Sequence, residues 1–411
     1  MSASSTSRIP RPSLALLALM MAVGPFGDTE YTPAMPDIAH SLSTDYGLVQ
    51  FTMAAYLFGD AISEVCYGPL SDRFGRRPVM LVGAGILSLG ALLCLVSFSI
   101  WPLIGGRLIQ GIGACAGGVM AKAMVRDAFA KGRRERVYAQ LNAAFSLAPA
   151  AGPVVGSAIA HAMNWHVNFA VLLGLSLLLW ALVWFFLPET NFDRNPRALE
   201  WTGLWHAYRE PLVTPGFLFY AGLSGFCIGV VYTALIGAPD LVINVLHQGS
   251  IAVVIVALAI FVGFVGGAGA CALASGRLRD PTIISAGLVL LLAGSLASMS
   301  IALIVGKQGT LAEYLAPVAV CFLGVGLIMP VSTANAMAPF KDIAGAASSL
   351  LGFVRMLLAA LGTMAMALLH QSSVYDMPIV FLGLSAAAIL VFVIFQCTVS
   401  GSAAQREKAA R

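Results

Sequence analysis

Long apolar runs separated by short polar breaks recur along the whole chain. A helix needs about 20 apolar residues to cross roughly 30 Å of hydrocarbon. Runs of that length are predicted at roughly 14–36, 47–69, 79–97, 102–124, 137–160 and 167–187, and again at roughly 216–237, 249–271, 282–304, 312–335, 346–368 and 376–398. The longest polar break, Pro188–Pro215, divides these twelve spans into six and six. It predicts an N-terminal bundle over 1–187, a central cytoplasmic loop over 188–215, and a C-terminal bundle with a short tail over 216–411. Backbone groups facing lipid must pair internally, which leaves helices or a closed barrel. The runs lack the alternation of barrel strands, so helices are expected.

The basic residues test this map, because Lys and Arg favour cytoplasmic loops. Arg8 and Arg11 precede the first span, and Arg73, Arg76 and Arg77 follow the second. Lys122, Arg126, Lys131, Arg133, Arg134 and Arg136 fall between the fourth and fifth. Arg194, Arg197 and Arg209 lie in the central break, Arg277 and Arg279 after the eighth span, and Lys341 after the tenth. Arg406, Lys408 and Arg411 are in the tail, and only Lys307 falls on the other side. Both termini are therefore expected in the cytoplasm, with the protein in a cell (inner) membrane. The apolar stretch after Arg8 and Arg11 has no clear small-residue cleavage site, so it reads as a retained helix.

Composition agrees. Of 411 residues, 59% are hydrophobic and 10% charged, with a mean hydropathy of +0.88, whereas a soluble domain carries about 25% charged residues. The net charge of +4 is explained by the loops, and no polar module is long enough to bind nucleic acid. Cys66, Cys94, Cys115, Cys227, Cys271, Cys321 and Cys397 all lie in apolar runs without a C-x-x-C pair, and read as small hydrophobes. His40, His161, His166, His247 and His370 fall at outer loops and His206 in the central one, where solvation is the default reading. No metal cluster and no nucleophile–base constellation stands out, so neither an enzyme nor a cofactor is expected. A channel or receptor lacks support from a repeated pore-lining pattern or a sizeable signalling segment.

Gly68-Pro69-Leu70-Ser71-Asp72-Arg73-Phe74-Gly75-Arg76-Arg77 follows the second span. Gly68 and Gly75 suit a tight turn, and Asp72 is placed to face a helix N-terminus. Arg73, Arg76 and Arg77 are placed to pair across to the other half. The run resembles the loop signature of the major facilitator superfamily, and with Tyr67 and Pro78 is similar to its bicyclomycin/chloramphenicol-resistance branch of drug/proton antiporters. Arg107-Leu108-Ile109-Gln110-Gly111-Ile112-Gly113 resembles that family's buried-arginine motif. The run Ala148–Gly156, with Pro149, Gly152, Pro153 and Gly156, resembles its antiporter motif. Arg126-Asp127 and Pro188-Glu189-Thr190 also fit the branch, and Ser275–Asp280 is a weak echo of the first loop. The resemblance implies an all-α membrane protein of two pseudo-symmetric six-helix bundles, alternating access, and a border between spans 2 and 11.

Ionisable residues inside spans cost roughly 2.5–3.5 kcal/mol each by insertion scales, so each invites a functional reading. They are Asp28, Glu30, Asp60, Glu64, Arg107 and Arg355. At about 1.5 Å rise per residue, Asp28 and Glu30 sit at the level of Arg107, which predicts an ion pair with one of them. Two positions on a helix are about 200° apart, so the two acids face different neighbours unless Pro25 or Pro33 locally opens the helix. Relatives carry one acid at the position held by Thr29, which leaves open which acid carries the proton. Asp60 and Glu64 share a face of span 2. By depth Asp60, with Glu64 as alternative, is expected to pair with Arg355. Phe26, Tyr31, Tyr56, Tyr232 and Met329 are candidates for an apolar substrate cavity.

The expected activity is proton-coupled efflux of small, largely apolar molecules by a monomer, with protons as the coupling ion. The alternative is export of a sugar, siderophore or amino-acid derivative, an anion being favoured by Arg355.

Overall fold

A computed structural model describes residues 10–340, 343–369 and 373–409. Arg8, Lys341, His370 and Arg411 lie outside the described residues, as do the side chains of Lys131, His161, His206, Arg406 and Lys408. In chain order the helices are α1 (Leu14–Thr29), α2 (Met35–Ser41), α3 (Tyr46–Phe74), α4 (Arg76–Leu95), α5 (Ile100–Ala128), α6 (Lys131–Ala162) and α7 (His166–Phe186). Then follow α8 (Trp201–Val213), α9 (Pro215–Pro239), α10 (Ser250–Ala274), α11 (Asp280–Ile304), α12 (Leu311–Met337), α13 (Ala344–Leu369) and α14 (Asp376–Ala409). All except the short α2 and α8 are the twelve spans, so the chain is a multi-pass membrane protein.

Ten of the spans are long and apolar enough to cross a membrane by length and composition. The other two, α1 and α3, are the ones that carry the four membrane acids. The first span was expected to be continuous over 14–36, and it is not. A 3-10 turn, Thr32–Ala34, separates α1 from α2. Pro33 and Pro36 open the turn and α2 respectively, and a proline removes the N–H that would have bonded one turn back. The central segment, expected as a loop, contains α8, whose Tyr208 hydroxyl donates to the Val65 carbonyl of α3 at 2.8 Å.

The halves repeat one packing plan. Helix α5 packs on α1, α3 and α4; its counterpart α12 packs on α9, α10 and α11. A serine pair marks equivalent contacts: Ser88 to Ser176 joins α4 to α7, and Ser295 to Ser385 joins α11 to α14, each at 2.9 Å. The halves meet along α3 and α13, the border of spans 2 and 11, and again between α6 and α10.

The loop between α3 and α4 is a network of ion pairs and capping bonds within the first half. Gly75, at φ 102°, makes the turn in a conformation that side chains resist. The Arg76 guanidinium donates to Asp72 at 2.6 Å and to Asp127 of α5 at 3.0 Å. Glu189 accepts from the backbone N–H groups of Arg76, Arg77, Thr190 and Asn191 at 2.8–3.2 Å. It is therefore Glu189, not Asp72, that meets the N-terminus of α4, where a negative charge is stabilised. Among the described residues the arginines form no ion pair across to the other half. Arg77 donates to the Trp184 carbonyl, and Arg73 lies over the Phe74 ring. In the second half the echo is neutral: Asn335 of α12 donates to Asp280 at the start of α11, at 2.8 Å.

Arg76→Ala removes the buried cation that joins Asp72 to Asp127, leaving Asp127, with 18% of its side chain exposed, only the longer contacts of Thr190 at 3.4 Å and Arg126 at 4.0 Å. Breaking such a pair costs about 3 kcal/mol. Thermal unfolding in detergent should show that loss, with Glu189→Ala also destabilising; wild-type stability for Arg76→Ala contradicts the network.

Candidate functional site

Two charged layers lie between the halves. The layer farther from the basic loops is built on the end of α1. Asp28 and Glu30 are buried, at 3% and 0% exposure, and their surroundings differ, as two positions on a helix require. Asp28 Oδ2 accepts a 2.6 Å hydrogen bond from the Tyr232 hydroxyl of α9, across the two halves. The backbone of Glu30 instead meets α6. Neither carboxyl oxygen of Glu30 has a hydrogen-bond partner among the described residues.

Arg107 does not pair with either acid, as had been expected. Its guanidinium, fully buried, donates to the Gly27 carbonyl at 3.0 Å and to Gln110. It sits 4.2 Å from the Tyr31 ring centroid and 4.3 Å from that of Tyr56. Two aromatic faces and a helix-end carbonyl thus receive the cation. Among the described residues no carboxylate lies within ion-pairing distance of it. Tyr31 and Tyr56 are accordingly core residues rather than cavity wall. Their hydroxyls bond Thr52 at 2.9 Å and the Gly24 carbonyl at 3.0 Å.

The Gly/Pro motif of α6 is the seat of this layer. A Cβ at Gly156 would overlap the Glu30 carbonyl oxygen, and one at Gly152 would overlap Thr29 Oγ1. Pro149 and Pro153 lie inside the same helix. The motif therefore holds α6 in backbone contact with the acidic end of α1. Phe26 faces away, into a groove of about 280 Å³ between α1, α6 and α7 that also includes Leu19, Leu147 and Leu175. Met329 is half-buried against the core on α12.

The second layer is nearer the basic loops. Asp60 and Glu64 are half-buried on one face of α3, as their spacing requires. Asp60 lies beside Glu64 and the Cys115 thiol. Arg355 does not pair with Asp60. Its Nε donates to Ser224 of α9 at 3.0 Å and its Nη2 to Thr333 of α12, both in its own half. The acid nearest to it across the border is Glu64, whose carboxyl carbon would lie 2.5 Å from a Cβ at Gly352, one turn before Arg355. Neither Asp60 nor the alternative, Glu64, is within ion-pairing distance of Arg355 among the described residues, and depth does not separate the two, since they lie about one turn apart.

Several partners escaped the sequence reading. Gln110, Gln50, Ser224 and Thr333 are uncharged, and hydropathy and charge weigh only the ionisable residues among the polar positions of the spans. A glutamine inside an apolar span is also costly to bury, and that was the available signal. His166, read as solvated, stacks on Trp165 with centroids 3.6 Å apart.

Gly156→Ala gives a direct test of the α1–α6 contact. Alanine favours a helix over glycine by about 1 kcal/mol, so the substitution stabilises wherever there is room. At position 156 the overlap is with backbone, and overpacking costs about 1–3 kcal/mol. Thermal unfolding should place Gly156→Ala below wild type and Gly132→Ala, where nothing lies within 4 Å, at or above it. Equal behaviour of the two contradicts the contact.

A family model described as Major Facilitator Superfamily matches residues 15–363. The chain is 32% identical over 352 residues to multidrug resistance protein D of Escherichia coli (strain K12), covering 82% of this chain and 84% of that one. To the chloramphenicol resistance protein of Pseudomonas aeruginosa it is 28% identical over 416 residues, covering 96% and 94%. Among solved structures, the partially occluded inward-open xylose transporter XylE from E. coli matches with a TM-score of 0.70 at 11% identity, covering 93% of this chain and 96% of that one. That likeness concerns the fold alone. The chain belongs to the Major Facilitator Superfamily, a family of transporters, and stands there with relatives named for multidrug and chloramphenicol resistance.

Proposed function

We propose that this protein exports small, largely apolar molecules from the cytoplasm in exchange for protons. In this reading it sits in the inner membrane with the basic loops and both termini inside, and the two halves rock about a site between them. The names of its relatives support drug-like substrates. The observation that carries proton exchange is Glu30, a fully buried carboxyl with no donor on either oxygen among the described residues, seated against the Gly152–Gly156 stretch of α6. An ionised carboxylate there bears a desolvation cost that no hydrogen bond offsets, whereas a proton removes the charge. Glu30 is thus the favoured proton carrier, and Asp28, tied to Tyr232, reports the meeting of the halves. Asp60 and Glu64 extend the acidic path toward the basic end.

The anionic-metabolite alternative rested on Arg355. Its bonds to Ser224 and Thr333 leave less of the guanidinium for an anion.

The test uses the full chain in liposomes with an imposed proton gradient and chloramphenicol as the probe. Gradient-driven transport should stop when a protonophore is added. Glu30→Gln should lower it by an order of magnitude or more while leaving gradient-free exchange of substrate intact. Transport indifferent to both the protonophore and Glu30→Gln overturns the reading.

A further inference from the structure

The Tyr232–Asp28 hydrogen bond is the polar side-chain contact that joins α9 to α1, and so joins the halves. A donor to a carboxylate makes a stronger bond than a neutral pair, the more so away from water. Asp28 is buried, yet its second oxygen, Oδ1, has no partner among the described residues. Gln50 of α3 reaches the Ile236 carbonyl of α9, one turn beyond Tyr232, at 3.5 Å, and its own Oε1 has no partner among the described residues. The titratable and charged groups facing Asp28 are Arg107 from α5, Tyr56 and Asp60 from α3, and Tyr232 from α9, with Glu30 two residues along the chain. From α6 and α7 this end of α1 meets Gly152, Gly156 and Leu172, none of which titrates.

Separating the halves at this end has to break the bond, because its two partners belong to different halves. Packing alone does not require the hydroxyl: a phenylalanine fills the same ring volume. The hydroxyl matters through what it does to Asp28.

We propose that Tyr232 is a positioning residue of the transport cycle: its hydroxyl holds Asp28 only while the halves are together at the end remote from the basic loops, so that closing that end and supplying a donor to Asp28 are a single event. The inference rests on the alternating access proposed above. It also defines what competes with closure. A substrate that presents an N–H or O–H group to Asp28 displaces the Tyr232 hydroxyl, and a proton on Asp28 weakens the bond by removing the charge that assists it.

The substitutions Gln50→Cys and Ile236→Cys, at positions where the Gln50 side chain meets the Ile236 carbonyl across the halves, report closure as crosslinking by a short bis-thiol reagent. The assay uses full-length protein in liposomes, with the exposed Cys66 and Cys397 replaced by serine, and with neither gradient nor substrate. The wild-type background should crosslink well at neutral pH and less on acidification. Tyr232→Phe should crosslink several-fold less at neutral pH and lose the pH dependence. Asp28→Asn should do the same, and the combined variant should be no lower than either, since one bond is removed in all three. Crosslinking by Tyr232→Phe at the wild-type level and pH dependence overturns the proposal, and so do additive effects of the two substitutions. Because no gradient is present, the outcome stands apart from proton-coupled export, whose failure is seen only in the transport assay.

Discussion

The arrangement between the halves depends on how one permanent cation is buried. Arg107 is fully enclosed, and a lone charge in a low dielectric is expensive. Here the cost is met without an anion. Hydrogen bonds to a charged group contribute about 1.5–3 kcal/mol each, and a desolvated cation over an aromatic face about 2 kcal/mol. The Gly27 carbonyl, Gln110, Tyr31 and Tyr56 supply contacts of both kinds. Because these partners come from α1, α3 and α5, the guanidinium pins three spans together. The carboxyls of Asp28 and Glu30 are not used up as counter-ions, and so remain available for donors, protons and substrate.

The rest of the first half follows from that pin. With α1 held at Gly27, the chain breaks into a 3-10 turn just beyond Glu30, and α6 closes on the break through glycines. At the other end Arg76, Asp72, Asp127 and Glu189 tie α3, α4, α5 and the end of α7 into one unit. The second half packs closely on this unit along α3 and α13, but the polar contacts across that border are few among the described residues: one charge-assisted bond at Asp28, a long contact from Gln50, and Glu64 against the bare backbone of Gly352. Few hydrogen bonds have to break for the halves to rock, which is what the proposed cycle requires.

Much of this was legible in the sequence. Span number and order follow from hydropathy, because lipid leaves the backbone few options. The acids, arginines and Gly/Pro motif were found because each is costly or conspicuous in an apolar span. Their partners were not. Helical spacing told that Asp28 and Glu30 diverge, but rotation about α1 decides which of them faces α9, and that depends on packing. Charge matching suggested Arg107 with an acid and Arg355 with Asp60. In both cases nearer neutral acceptors, the Gly27 carbonyl and the Ser224 and Thr333 hydroxyls, took the guanidinium instead. The break after Thr29 is the local opening of the helix that Pro33 allows, with Pro36 at the start of α2 just beyond it.

The central claim is that Arg107 is held by a carbonyl, an amide and two rings rather than by the helix-1 acids. Thermal unfolding of the combined variant Asp28→Asn, Glu30→Gln in detergent tests it most directly. If the claim holds, neutralising both acids strands no cation. Stability then falls by no more than about 1.5 kcal/mol, the difference between a charge-assisted and a neutral hydrogen bond from Tyr232. If Arg107 relied on either carboxylate, the same variant leaves a buried charge unpaired, and a loss of about 3–5 kcal/mol contradicts the account.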